Sequence, residues 1–246
     1  MSTVLVSGSS RGLGLELIKQ FAALVPENGL VIAGARWRTA ELEELIRSNQ
    51  GRVGFVSLDV SDESSIIASV QEVKSLLGER PLDILINCAG VHSDTDGKVA
   101  NMDDLMRQFS VNVLGTHHTI RSFLPLMATS TEKKIVTISS IYGSMTNARA
   151  VAFAPCPAYK ISKAALNALT VQYALSYEDE GFIFFAVNPG WLQTEMGGED
   201  ADLTVPQGAT AVVNIIRAAD KSTNGKFKNI QVNGWEHKYN GSDLAW

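Results

Sequence analysis

The sequence is short of several things, and each scarcity removes a class of function. Cysteine occurs twice, at Cys88 and Cys156, far apart and without the paired spacing of a zinc or redox motif. Both are expected to be reduced structural thiols, and no metal is expected. Positive charge is also scarce: 21 lysines and arginines face 26 acids, giving a net charge of −5, and no stretch gathers them into a stripe. A protein that holds a phosphate backbone needs such a stripe, so nucleic acid is not an expected partner. Long hydrophobic runs are missing too; the run 182–187 falls far short of the roughly 20 residues that cross a bilayer. Ser2 and Thr3 pass straight into the first apolar segment, leaving no room for a basic leader. A soluble, cytoplasmic protein with no membrane partner is expected, in which Asn240-Gly-Ser242 carries no sugar.

What is present is enough apolar material for one large core. With 246 residues, 45% of them hydrophobic and 19% charged, the chain is expected to form a single domain over 1–246. Short apolar runs at 3–7, 29–35, 52–58, 83–87, 134–139, 182–188 and 229–232 read as strands. Between them, helical spacing marks 13–25, 39–48, 62–77, 102–127, 158–178 and 205–219. Parallel strands need long crossovers, and right-handed crossovers lay helices on both faces. The alternation therefore predicts a doubly wound α/β (Rossmann) fold with a mostly parallel sheet of about seven strands.

The first strand runs into "SGSSRGLG", a turn carrying Gly8, Gly12 and Gly14. In a doubly wound sheet this turn is where a dinucleotide's pyrophosphate is held, since glycine permits close backbone approach and the following helix offers free N–H groups. Glycine would serve a plain tight turn equally well, so the rest of the chain must decide. "LDV" at 58–60, "NCAG" at 87–90, "YKISK" at 159–163 and "NPGWLQT" at 188–194 follow in order. Together with the glycine turn they resemble the landmarks of the short-chain dehydrogenase/reductase family, and the resemblance spans nearly the whole chain.

That resemblance implies a dinucleotide held by Gly8, Ser10, Arg11, Gly12, Leu13 and Gly14. Asp59 and Val60 would flank the adenine, Asn87, Ala89 and Gly90 the middle of the cofactor, and Pro189, Gly190, Trp191 and Thr194 the nicotinamide. Cys88 is a departure, because the family more often has a second asparagine there. Tyr159 and Lys163 lie four apart at a helix start, so they share one face. Reduction of a ketone builds negative charge on its oxygen, which calls for a proton donor. A neighbouring ammonium lowers a phenol's pKa, and Lys163 is expected to do this for Tyr159 while also binding the cofactor ribose. Neighbouring serines on a strand point to opposite sides, and the family's placement selects Ser140 over Ser139 to hold the substrate oxygen. Asn112, an amide among apolar neighbours, would hold a water on the path to the lysine or else kink its helix. The segment from Ser140 to Tyr159 is longer than the family's commonest spacing, which leaves the shape of the pocket open.

No acid stands at the end of the second strand to bind ribose hydroxyls. Arg36 stands there instead, with Arg38 and Arg11 close by, and this favours the 2′-phosphate of NADP(H). Arg38 is equally well read as an exposed solubilising residue. Trp191, Met145, Phe153 and Trp246 are expected as apolar walls, and the glycines and acids of 191–204 as a mobile flap. These features suit a small hydrophobic carbonyl substrate, aromatic or polyketide-like, as in the carbonyl reductase and ketoreductase subgroup that the closing "NGSDLAW" resembles. The other reading is an NADPH-binding non-redox catalyst or cofactor sensor on the same fold. His92, His117 and His118 lack a convincing ligand set. The helix at 158–178 is apolar on several sides, with Ile161, Ala165, Leu166, Leu169 and Tyr173, and so needs a second covering surface. The family resemblance implies that this is another subunit, so a homodimer or homotetramer is expected, a monomer remaining open.

Overall fold

The computed structural model describes residues 3–246; Ser2, in the expected leader-free start, lies outside them. Seven parallel strands form one sheet in the order β3-β2-β1-β4-β5-β6-β7. They are β1 (Thr3–Ser7), β2 (Leu30–Ala35), β3 (Val53–Ser57), β4 (Ile84–Asn87), β5 (Lys134–Ile138), β6 (Ile183–Asn188) and β7 (Phe227–Asn229). Helices α1 (Gly12–Leu24), α2 (Ala40–Ser48), α3 (Glu63–Leu77), α4 (Leu105–Phe109), α5 (Gly115–Met127), α6 (Pro157–Ser176) and α7 (Val205–Ala218) connect them. This is the doubly wound Rossmann architecture.

Alternation along each strand explains the layering. Val4 and Val6 of β1 face one core with Leu17 and Phe21 of α1 and Val212 of α7, while Leu5 faces a second core with Phe123 of α5 and Ile66 of α3. A strand covered on both sides must be apolar throughout, and β1, β2 and β6 are buried at every position. At the amino ends, the Asp83 carboxylate accepts from the Thr3 N–H at 3.1 Å and the Ser130 hydroxyl at 2.6 Å, tying β1 to the start of β5.

After β1 the chain builds outward to β3 and then returns to β4 on the other side of β1. That reversal opens a crevice at the carboxyl ends of β1 and β4, the position at which such sheets bind ligands. The expected helix at 102–127 is α4 and α5 joined through a wider turn, Ser110–Leu114, closed by the Gly115 N–H on the Ser110 carbonyl. The last strand lies earlier than the expected 229–232. Ile230 is buried, which prolonged the apolar run, but the chain has already turned, and Gln231 pairs with Asn240 instead. No helix among the described residues is long and apolar enough to cross a membrane.

Candidate active site

The floor of the crevice is main chain. Gly8 has φ +70°, and a Cβ there would stand 2.6 Å from the Ala89 Cα; on Gly14 it would stand 2.3 Å from the Gly8 carbonyl oxygen. Only glycine permits that packing. The Ser7 hydroxyl accepts from the N–H groups of Cys88 and Ala89 at 3.2 and 3.3 Å, so the ends of β1 and β4 are stitched together. Thr39 caps α2 and donates to the Ser10 carbonyl at 2.8 Å. Arg11 precedes α1 without a side-chain cap, and the first turn of α1 holds no acid. Its free N–H groups face the crevice with an uncompensated positive end. Leu13 packs its side chain into the core below.

Around this floor stand the other residues assigned to the dinucleotide. The Asn87 amide is buried with neither its nitrogen nor its oxygen bonded to protein. Such a group needs a polar partner, and a dinucleotide lying over Gly8 and Gly90 would provide one. The glycine cradle and this amide therefore fit the expected group. Asp59 accepts from both the N–H and the hydroxyl of Ser61, and Val60 packs against the second core. Following Pro189 and Gly190, the chain brings a Thr194 methyl to 3.4 Å from where a Gly12 Cβ would be, roofing the turn.

A cleft of about 350 Å³ continues outward between Ser10, Arg11, Trp37, Thr39, Glu41 and Glu195. Arg36 is exposed at the end of β2, its guanidinium 4.4 Å above the Trp37 ring, while Arg38 lies 4.7 Å above Phe55. Arg11 pairs with Glu195 at 2.5 Å, both exposed. Glu195 thus enters the phosphate side of the cleft, although nothing in its spacing announced it.

The reacting groups sit where α6 begins. Ser140 follows β5, caps a short turn at Tyr142 and stands close enough to the Tyr159 hydroxyl to favour its ionised form. Ser139 points away and donates to Asn167 at 2.5 Å. Lys163 is buried; its ammonium donates to the Ile138 carbonyl at 2.8 Å and lies 5.5 Å from the Tyr159 ring centre. Burial holds Lys163 down to about 8, with the Cys88 sulfur opposing. Burial also pushes the Tyr159 phenol up, and the nearby Ser140 hydroxyl offsets only part of this. The expected lowering of the phenol by Lys163 is thereby corrected: loss of hydration outweighs a cation already committed to a backbone carbonyl. Burial likewise pushes the Cys88 thiol up to about 12.

Asn112 occupies the wide turn before α5. Its amide oxygen accepts from the Val91 N–H at 2.8 Å, and its nitrogen donates to the Val91 carbonyl and to Ser162. The side chain clamps the segment that leaves β4.

An aromatic row lines the pocket mouth: Phe153 lies 6.4 Å from Tyr142, Tyr142 6.4 Å from Tyr159, and His92 meets Tyr159 edge-on at 4.8 Å. His92 was visible in the sequence only as a lone imidazole two residues past Gly90. Two expected walls lie elsewhere. Trp246 stacks on Phe227 at 5.4 Å and, with Met145, lines a separate cleft of about 320 Å³ on the outer side of α6. The tail carries Trp246 there because it runs back along β7, the Leu244 N–H reaching the Phe227 carbonyl at 2.7 Å. The segment 191–204, expected as a loose flap, is closed at its neck by the Leu192–Leu203 bridge and held inside by the Trp191 indole on the Gly197 carbonyl at 2.7 Å.

Known proteins share this fold. The family model for short chain dehydrogenases matches residues 2–203. The short-chain dehydrogenase/reductase AacuF of Aspergillus aculeatus is 31% identical over 77% of this chain and 74% of its own length. An uncharacterized oxidoreductase of Schizosaccharomyces pombe, C663.06c, is 31% identical over 98% of this chain and 96% of its own. Among solved structures, the NADPH-bound carbonyl reductase from chicken fatty liver superposes with a TM-score of 0.88 at 28% identity, covering 100% of this chain and 99% of that one. The match over most of the chain, on a doubly wound sheet whose glycine turn opens the crevice, makes this protein a member of the short-chain dehydrogenase/reductase family of oxidoreductases.

Proposed function

We propose that this single domain is an NADPH-dependent reductase that converts the carbonyl of a small hydrophobic ketone or aldehyde to an alcohol. The observation that carries the reading is Tyr159 with the Lys163 ammonium 5.5 Å from its ring centre and Ser140 beside it, at the rim of a glycine-floored crevice. When bound, the nicotinamide supplies a hydride to the carbonyl carbon. Ser140 holds the substrate oxygen, and the Tyr159 hydroxyl gives its proton to that oxygen as charge builds there. Burial keeps the phenol protonated but makes it a weaker acid, so the transfer relies on the positive charge of Lys163 beside the developing anion. Lys163 keeps a positive charge near the developing anion and reaches for the cofactor ribose, while Asn112 fixes the 90–91 segment beside it.

The absence of an acid after β2, with Arg11 in the cleft and Arg36 beside its Trp37 wall, supports NADPH over NADH, as does the NADPH bound by the chicken carbonyl reductase. The row Phe153, Tyr142, Tyr159 and His92 supports an aromatic or polyketide-like substrate. Exposed Ile161 and Leu175 on α6 support pairing of copies into a dimer or tetramer. The test is NADPH consumption with a panel of ketones. Tyr159→Phe should lose at least about 100-fold in kcat/KM, and a rate equal to wild type would reject the assigned proton donor.

A further inference from the structure

Two loops meet beside Tyr159. The segment that follows Gly90 and the long segment that leads into α6 are joined by the Thr95 N–H on the Pro155 carbonyl at 2.6 Å. Across this junction His92, Asp94 and Cys156 converge. His92 Nε2 stands 3.6 Å from Asp94 Oδ1, and one donor atom from each of the three residues lies within 4.8 Å of the others. The cluster is closed on its sulfur side, where Cys156 is fully buried, and open on its carboxylate side, where Asp94 is exposed.

We propose that His92, Asp94 and Cys156 form a three-ligand site for a thiophilic divalent cation of the zinc class, and that an ion held there blocks access to Tyr159. Imidazole nitrogen, carboxylate oxygen and thiolate sulfur bind zinc at about 2.0–2.3 Å, so tetrahedral neighbours stand roughly 3.3–3.7 Å apart. The His92–Asp94 pair already has that spacing. Asp94, being exposed, can rotate to bring its oxygen nearer the sulfur. The thiol selects zinc or cadmium over magnesium or calcium. On binding, the S–H bond breaks, a sulfur–metal bond forms and the proton leaves to solvent, with no electron exchanged. Thiolate and carboxylate together neutralise the ion. The Lys160 ammonium is held by the Val151 and Ala154 carbonyls at 2.7 Å each and offers no ligand. With three protein ligands the fourth position stays open to water or to a carbonyl oxygen. Since the His92 ring lies 4.8 Å from that of Tyr159, the ion sits against the pocket mouth.

Only the blocking rests on the proposed reaction, because binding can be read without turnover. Titration of the whole protein with Co2+ should give one equivalent per chain and a thiolate-to-cobalt charge-transfer band that Zn2+ displaces. Cys156→Ser should abolish the band, and Cys88→Ser should retain it. Because Cys156 is buried and its variant risks misfolding, exposed Asp94→Asn provides an independent arm, with affinity at least about 10-fold weaker. Zn2+ should also suppress ketone-dependent NADPH oxidation in step with occupancy. Absence of the band, its survival in Cys156→Ser, unchanged affinity in Asp94→Asn, or full turnover with the site filled would each overturn the proposal. If metal-free protein reduces no carbonyl, the reaction reading fails separately and the cobalt titration still decides the site.

Discussion

The two walls of the crevice are made of different material. On the side of β1 and β4 the surface is backbone: Gly8, Gly14 and Ala89 touch, and one serine hydroxyl closes the seam. On the side of residues 142–156 and 191–204 it is side chain, with Phe153 78% and Trp191 44% exposed. A backbone wall tolerates no added methyl but ignores most distant changes, whereas a side-chain wall can be rebuilt residue by residue. The first suits a cofactor that does not vary, and the second a substrate that does.

That contrast can be broken most severely at Gly14. A Cβ there meets backbone, which cannot rotate away, so Gly14→Ala should cost about 1–3 kcal/mol of stability and weaken dinucleotide binding by more than about 10-fold. Thermal unfolding and a fluorescence titration with NADPH would check both; an unchanged affinity would mean the turn is not the floor. Next comes pH. Lys163 titrates near 8, so it is charged below that value and neutral above it. Reductive kcat/KM should therefore fall as pH rises through about 8, and Lys163→Arg should move that limb upward. The stability sign is opposite: the unfolded chain binds the proton more tightly, so between the two pKa values stability rises with pH. A smaller effect is expected on the outer rim, where Arg36 is exposed. Arg36→Asp should shift the ratio of NADPH to NADH efficiency by about 10-fold, and an unchanged ratio would remove Arg36 from cofactor choice. The least effect belongs to Glu195→Gln. A surface ion pair contributes less than about 1 kcal/mol, so releasing Arg11 should tighten NADPH binding only a few-fold, as calorimetry would read.

The same contrast explains what could be read in advance. The glycine turn and the Tyr159–Lys163 pair were legible because five motifs in order resemble one family; their spacings alone gave only a turn and a shared helix face. The strand and helix order followed from alternation. Trp246 was misplaced because a tail can fold back anywhere, and only the bond from Leu244 to Phe227 fixes its direction. His92 and Glu195 were missed because each reaches the crevice from a loop, where sequence distance says nothing about spatial distance. The direction of the Tyr159 shift failed for a different reason: burial of one hydroxyl depends on every neighbour at once, and no motif encodes that sum.

The wide turn at Ser110–Leu114 carries a consequence for how this helix can change. One surplus residue is spooled into it, so α5 is turned in phase against α4. Excising a single residue there would give a more regular rod, yet it would swing the Asn112 amide off Val91 and leave the exit of β4 without its clamp.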